Sequence, residues 1–168
     1  MTLAFLFLAA GLATPVDTVP PPQRVEYRIE ASLDESTDVL SGRARVKYVN
    51  RSTSSIDTLW FHQHLNAFRP NSAWARRELE YGETRFQQLG PQEHAFERFT
   101  RVEVDGSAAT PTYPEAPDST VVGIPLPSTL ASGDSVTVLL DWRARLSTTP
   151  RRQGRRGRHY DFAQWYPR

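Results

Sequence analysis

The chain has 168 residues, which is enough for one domain with a substantial hydrophobic core. Its 39% apolar and 23% charged residues are typical of a folded globular protein and exclude a disordered chain. The net charge of +1 selects neither nucleic acid nor an acidic membrane as a partner. Because there is no cysteine, disulfides, thiolate zinc sites and cysteine nucleophiles are excluded.

The first 23 residues differ in kind from the rest of the chain. An apolar run from Leu3 to Ala13 is too short to span a bilayer as a helix, so no stable membrane span is predicted. The run and the small residues at its end are typical of an export signal, and a buried strand is the alternative. Residues 16–23 contain three consecutive prolines, which predict a stiff linker. We therefore expect a signal peptide and linker over 1–23, export to the periplasm or the medium, and a β-sandwich domain over 24–168.

Alternation of apolar and polar residues predicts a series of β-strands, each with one face in water. The predicted strands cover residues 24–31, 43–48, 56–65, 99–104, 120–126, 135–146 and 160–165. Good helix formers behind Asn71 and Ser72 predict a short helix within 71–82. Short strands separated by turn residues favour an all-β fold, an antiparallel β-sandwich with a short helix or irregular insertion.

Two histidines are the first candidates for chemistry. His62 and His64 are two residues apart in a predicted strand, hence on one face, where two imidazoles can bind a metal. No third ligand is placed by spacing, so a structural role is favoured and no metal ligand is assigned. The chain has no His-Glu-x-x-His, no Gly-x-Ser-x-Gly and no phosphate-binding glycine loop, and we therefore assign no catalytic residue.

Residues 151–158 form the one charge block, with five arginines. Such a block can hold phosphate, RNA or an acidic lipid surface, but a solvated loop between two strands is favoured because the rest of the chain balances its charge.

Aromatic residues also allow two interpretations, a sugar-binding platform or an ordinary core, and the regular strand pattern favours the core. These aromatic residues are Trp60, Trp142, Tyr160, Trp165 and Tyr166.

Several short motifs follow one another in a fixed order along residues 24–168. They are Tyr-Arg-Ile-Glu-Ala-Ser-Leu-Asp (27–34), Leu-Ser-Gly (40–42), Tyr-Val-Asn-Arg-Ser (48–52), Leu-Trp-Phe-His (59–62), Leu-Asn-Ala-Phe (65–68) and Tyr-Asp-Phe-Ala-Gln-Trp-Tyr-Pro-Arg (160–168). In this order they resemble the N-terminal domain of aminopeptidase N-like zinc metallopeptidases, the gluzincins, and in particular a bacterial branch. The ordered set is much more specific than any one of its pieces.

The resemblance implies a saddle-like β-sandwich that walls one side of a peptide-binding cleft and packs on a C-terminal, thermolysin-like catalytic domain. In that family zinc is held by His-Glu-x-x-His and a downstream Glu; the motif Glu is the general base, and a distant Tyr stabilises the oxyanion. The matching sequence would lie beyond Arg168. We therefore expect a fragment that is not catalytic by itself, with no cofactor in this chain and zinc in the full-length hydrolase.

One part of the family's substrate site comes from this domain, a Gln-x-Glu or Gln-x-Gln segment beside the substrate's N-terminal residue. Gln164 matches its first Gln, and Tyr166 stands where Glu or Gln would be. Tyr offers a hydroxyl and a ring face instead of a carboxylate for the substrate ammonium, so strict aminopeptidase specificity is not implied. The Gln164 amide either caps backbone groups inside the sandwich or faces the cleft. The rival hypothesis is a free-standing exported β-sandwich that binds glycan or peptide.

Overall fold

The computed structural model describes residues 23–149 and 151–168, which form antiparallel β-sheets with one short α-helix. This confirms the predicted all-β, sandwich-like fold. The expected signal peptide and most of the expected linker, residues 1–22, lie outside the described residues. The strands are β1 (Arg24–Asp34), β2 (Val39–Val49), β3 (Ile56–His62), β4 (Phe96–Val104), β5 (Ser107–Ala108), β6 (Val121–Leu130), β7 (Ser135–Arg145), β8 (Gly154–Arg156) and β9 (His159–Asp161); the helix is α1 (Ala73–Glu80).

The larger sheet has the order β1-β2-β7-β4-β5, with every pairing antiparallel. Its inner face is apolar because every second residue of β7 is apolar, and Val138 and Leu140 there have no exposed surface. Its outer face is polar, and Arg43 donates to Asp141 across β2 and β7 at 2.8 Å. The alternation that predicted these strands therefore also sets which face is buried.

The smaller sheet pairs β3 with β6, and it faces the inner side of the larger sheet. Leu59 and Phe61 of β3 are buried and join the main hydrophobic cluster. Trp60 points the other way, is 57% exposed and lies over Gly123 of β6, where a Cβ would come within 2.9 Å of the indole ring. Glycine at this position is what allows the indole to lie flat on the sheet.

Several predicted boundaries differ from the structure. The strand predicted over 56–65 ends at His62, because the chain turns at Gln63 into a 3-10 helix, His64–Ala67. β4 begins at Phe96, ahead of the strand predicted over 99–104, and the predictions missed the short strands β5 and β8. The predicted helix is confirmed as α1, whose N-cap Ser72 accepts a hydrogen bond from the Ala75 amide at 2.9 Å.

The last predicted strand is much shorter than expected. Only β9 is paired, with β8, and the chain then bends, with Gln164 at a φ of 53°. Residues 160–168, called the C-terminal segment below, instead pack their rings along the sandwich. The ring of Tyr166 meets Tyr27 of β1 edge-on at 5.7 Å, and that of Trp165 lies 6.3 Å from Trp142 of β7. After β9, side-chain packing replaces most of the backbone pairing, which resumes at Arg168.

Among the described residues, no helix combines the length and the apolar character needed to cross a membrane.

Candidate functional site

The C-terminal segment holds both residues that were predicted to bind substrate. Gln164 is exposed, which does not fit a capping role inside the sandwich. Its left-handed backbone, with φ of 53°, is uncommon for a residue other than Gly, Asn or Asp. The rings of Phe162 and Trp165 on either side contact each other at 6.3 Å, so the exposed amide is carried on an anchored segment.

Tyr166 lies in a different environment from Gln164. Its ring is half-buried and packs edge-on against Trp165 at 5.3 Å as well as against Tyr27. Burial, with a smaller contribution from Tyr166, raises the pKa of Tyr27 to about 12, while Arg168 opposes the shift. The Tyr27 phenol therefore stays neutral. Tyr166 has a packing role whether or not its hydroxyl reaches a ligand.

The two histidines lie beside the end of the C-terminal segment. Their rings stack in parallel, with centroids 4.9 Å apart and planes at 12°. Burial, His62 and Arg168 all lower the pKa of His64, so it is a neutral imidazole next to a cation. Parallel rings direct their nitrogens side by side instead of toward one ion about 2 Å from each, so the pair does not fit a zinc site. No group of three or more His, Asp or Glu able to hold a metal is found in the described part of the chain.

The arginine block is a structured hairpin and not only a solvated loop. Arg155 lies in β8, its side chain is 12% exposed, and it forms an ion pair with Asp38 at 2.7 Å. Arg158 pairs with Glu35 at 2.6 Å, and Arg151 lies over the ring of Trp74 at 5.6 Å. The two ion pairs hold the hairpin on the β1–β2 turn, and Arg151 contacts α1, so three of the five arginines have structural partners.

The aromatic residues do not form one platform. Trp142 is 1% exposed in the core, and Trp165 covers it. Tyr160 stacks with Phe162 at 6.0 Å, and its hydroxyl donates to Asp38 at 2.6 Å. Trp60 lies apart from them on the smaller sheet and is the most exposed of the tryptophans in the described residues. The core interpretation holds for Trp142, whereas Trp60 remains open to a partner.

The sequence did not point to Glu97, which is the most unusual ionisable group of the fold. It is 2% exposed on the inner face of β4, and neither carboxylate oxygen has a hydrogen-bond partner within the described residues. Burial raises its pKa from an ordinary 4.5 to about 8, with the Leu65 amide opposing. Glu97 is therefore a neutral acid at neutral pH. It was missed because Thr84 to Glu97 shows no periodicity.

A polar pocket of about 310 Å³ borders Glu97, with Arg69, Tyr113 and Ser119 in its lining. Asn66, which is 1% exposed, fixes the backbone of Glu97 through two hydrogen bonds of 2.8 Å, one from the Glu97 amide and one to its carbonyl. Arg69 donates to the Ser119 hydroxyl at 2.7 Å, while its Nε has no hydrogen-bond partner in the described part of the chain. The pocket therefore combines a neutral acid, a cation and a hydroxyl group.

The sequence has no significant match among protein families or curated proteins.

Proposed function

We propose that this chain is the exported, non-catalytic N-terminal domain of an aminopeptidase N-like zinc metallopeptidase, and that it walls one side of the peptide-binding cleft. The ordered motifs between residues 27 and 168 suggest this class. The observation that carries the proposal is the exposed amide of Gln164, held at a left-handed φ of 53° on the segment that the resemblance places beside the substrate. A strained backbone at an exposed polar residue is typical of functional positions.

The roles of the two site residues follow from their surroundings. The Gln164 amide has both a donor and an acceptor for the amino end of a bound peptide. Tyr166, held by Tyr27 and Trp165, fixes the segment and offers at most its hydroxyl and ring edge. No carboxylate stands at this position, so we propose a peptidase with weaker selection for a free substrate ammonium than strict aminopeptidases have.

The first test is the DNA that follows the Arg168 codon. An in-frame His-Glu-x-x-His with a downstream Glu supports the proposal, since these are the family's zinc ligands and general base. A stop codon with no such frame nearby would contradict it and would favour the free-standing binding module. For that alternative, the one favourable observation is the 57% exposed Trp60, a flat ring of the kind that contacts sugars or peptides.

The second test uses the longer enzyme. Gln164→Ala should lower kcat/KM by roughly tenfold to a hundredfold with little change in Tm, because it removes a substrate contact and no interior packing. Gln87→Ala, which truncates another exposed glutamine, is the matched control and should leave both quantities unchanged. A variant that melts several degrees lower and keeps the wild-type kcat/KM would contradict the assignment of Gln164.

The third test is zinc titration of the chain that ends at Arg168. Because the two imidazoles are stacked in parallel beside Arg168, calorimetry should detect no tight one-to-one site. Tight binding that disappears when His62→Ala and His64→Ala are combined would show that this domain has a zinc site of its own.

A further inference from the structure

Within residues 23–149 and 151–168, the outer edge of β3 has backbone groups without a pairing partner. Gly123 of β6 exchanges two hydrogen bonds with Thr112, at 2.8 and 2.9 Å, so its backbone points away from β3. Trp60 lies directly opposite Gly123, and in an antiparallel ladder both members of such a pair point outward. The N–H and C=O of Trp60 therefore face the outer edge. Thr58, two residues earlier and opposite Pro125, has the same orientation.

An apolar groove of about 320 Å³ lies beside this edge, between β3 and β1. Val25 and Tyr27 of β1, Tyr48 of β2 and Ile56 of β3 line it together with Trp60. Val25 is 45% exposed although it belongs to the inward-facing set of β1. Apolar side chains of the sandwich interior are thus open to solvent at the place where no other described strand pairs with the edge.

The C-terminal segment leads directly into the groove. Arg168 and His62 exchange two backbone hydrogen bonds, at 2.7 and 3.3 Å, which form the first rung of an antiparallel ladder on β3. The rings of the segment also advance along β1, from Tyr160 and Phe162 beside Leu33 to Tyr166 beside Tyr27. Val25 is the next inward residue in this direction. Both the register and the packing therefore point to the same groove.

We propose that an extended polypeptide strand enters this groove directly after Arg168, pairs with Trp60 and Thr58, and adds a third strand to the smaller sheet. The identity of the occupant rests on the function proposed above: it is the connection between this domain and the catalytic domain of the peptidase. Since Arg168 shares the face of His62, the next residue shares the face of Phe61. The first, third and fifth residues of the strand are then apolar and fill the groove.

The test compares two extensions of the full chain with identical composition. One adds Val-Thr-Val-Thr-Val-Thr after Arg168 and places valines in the groove; the other adds Thr-Val-Thr-Val-Thr-Val and places them on the outer face. Amide hydrogen exchange by NMR is read at Trp60, with the Leu59 amide, which belongs to the opposite set, as the internal control. The first extension should slow exchange at Trp60 by roughly tenfold or more and the second by less than about twofold.

Four results would overturn the proposal. They are no slowing by either extension, equal slowing by both, a Trp60 amide that is already protected in the chain without an extension, and protection that increases with protein concentration. The last would mean that a second copy occupies the edge. These results are independent of peptidase activity. Absence of a zinc motif downstream removes the proposed function but leaves the exchange result intact, and a failed exchange test leaves the peptidase proposal standing.

Discussion

Two irregular segments cover the two open sides of the sandwich, and they do so by different means. Residues 107–120 are held by directed hydrogen bonds, such as the Thr112–Gly123 pair and the Asn66 amide that donates to the Ser119 carbonyl at 2.8 Å. The C-terminal segment, residues 160–168, is held mainly by stacked and edge-on rings. The attachment of residues 107–120 therefore depends on individual hydrogen bonds, whereas the attachment of the C-terminal segment depends on the apolar area that it buries.

The edges next to these segments differ as well. On the side of residues 107–120, β6 continues from Gly123 to Pro125, which points outward but has no N–H to donate at that position. On the side of the C-terminal segment, β3 presents Trp60 with both backbone groups available. A proline-blunted edge resists further pairing, while an unblunted edge beside an apolar groove invites it.

The largest effect is expected from Asn66→Ala, on the hydrogen-bonded side. It leaves the Glu97 amide, the Glu97 carbonyl and the Ser119 carbonyl without their side-chain partner in a buried setting. At about 1–3 kcal/mol for an unsatisfied buried group, with partial relaxation, the free energy of unfolding should fall by about 3–5 kcal/mol in urea titrations. The control is Asn71→Ala, which truncates an exposed asparagine and should change stability by less than about 0.5 kcal/mol. An equal loss of unfolding free energy in both variants would show that the buried hydrogen bonds of Asn66 contribute no special stability.

On the aromatic side, Trp165→Ala should cost somewhat less. Trp165 contacts Trp142, Phe162 and Tyr166, yet it is only half-buried. We expect a loss of about 2–3 kcal/mol in the same titration, below the usual range for a fully buried Trp. Trp60→Ala is the matched variant and should cost less than about 1 kcal/mol, because its ring is mostly exposed. A larger loss for Trp60 than for Trp165 would show that the C-terminal segment contributes little to the fold.

The third prediction concerns the pH dependence of stability, which Glu97 should cause on the hydrogen-bonded side. Because burial raises the pKa of Glu97 from 4.5 to about 8, the folded state holds a proton that the unfolded state releases between these values. Stability from this group is complete below pH 4.5 and is lost as pH rises toward 8, by at most about 1.4 kcal/mol per pH unit. Glu97→Gln should therefore flatten the fall in Tm between pH 6 and 7, whereas Glu83→Gln, at an exposed position, should not. Parallel curves of Tm against pH for the wild type and Glu97→Gln would show that the ionisation of Glu97 does not affect stability.

The sequence predicts the regular strands and the helix better than the turns between them. Period-two alternation placed Val138 and Leu140 in the core correctly, and the cap at Ser72 located the helix. The same alternation could not show that the chain turns at Gln63, since that turn depends on tertiary partners such as the Thr120 carbonyl. From the sequence alone, Glu97 would be assigned to the surface. It is buried by the packing of β4 against the 3-10 helix, which depends on the three-dimensional fold.

For the C-terminal segment, composition was a better guide than the alternation of apolar and polar residues. Its composition correctly indicated an aromatic, packed region, but the pattern predicted a strand through residue 165. The bend at Gln164 replaces that strand, and no local signal such as glycine or asparagine announces it. Motif order, unlike periodicity, makes Gln164 a candidate site residue, and this assignment stays a prediction.

The smallest predicted effect has the sign opposite to the others. A left-handed backbone costs a residue with a Cβ roughly 1–2 kcal/mol, and glycine avoids most of this cost while losing some entropy on folding. Gln164→Gly should thus raise the free energy of unfolding by up to about 1 kcal/mol, because the exposed side chain contributes no burial in return. In the longer enzyme the same variant should lose kcat/KM as Gln164→Ala does, since both lack the amide. A gain in stability together with a loss of activity means that the strain at this position is retained for function. A destabilised Gln164→Gly variant would instead show that the glutamine side chain supports the fold, and the cleft role proposed for it would be lost.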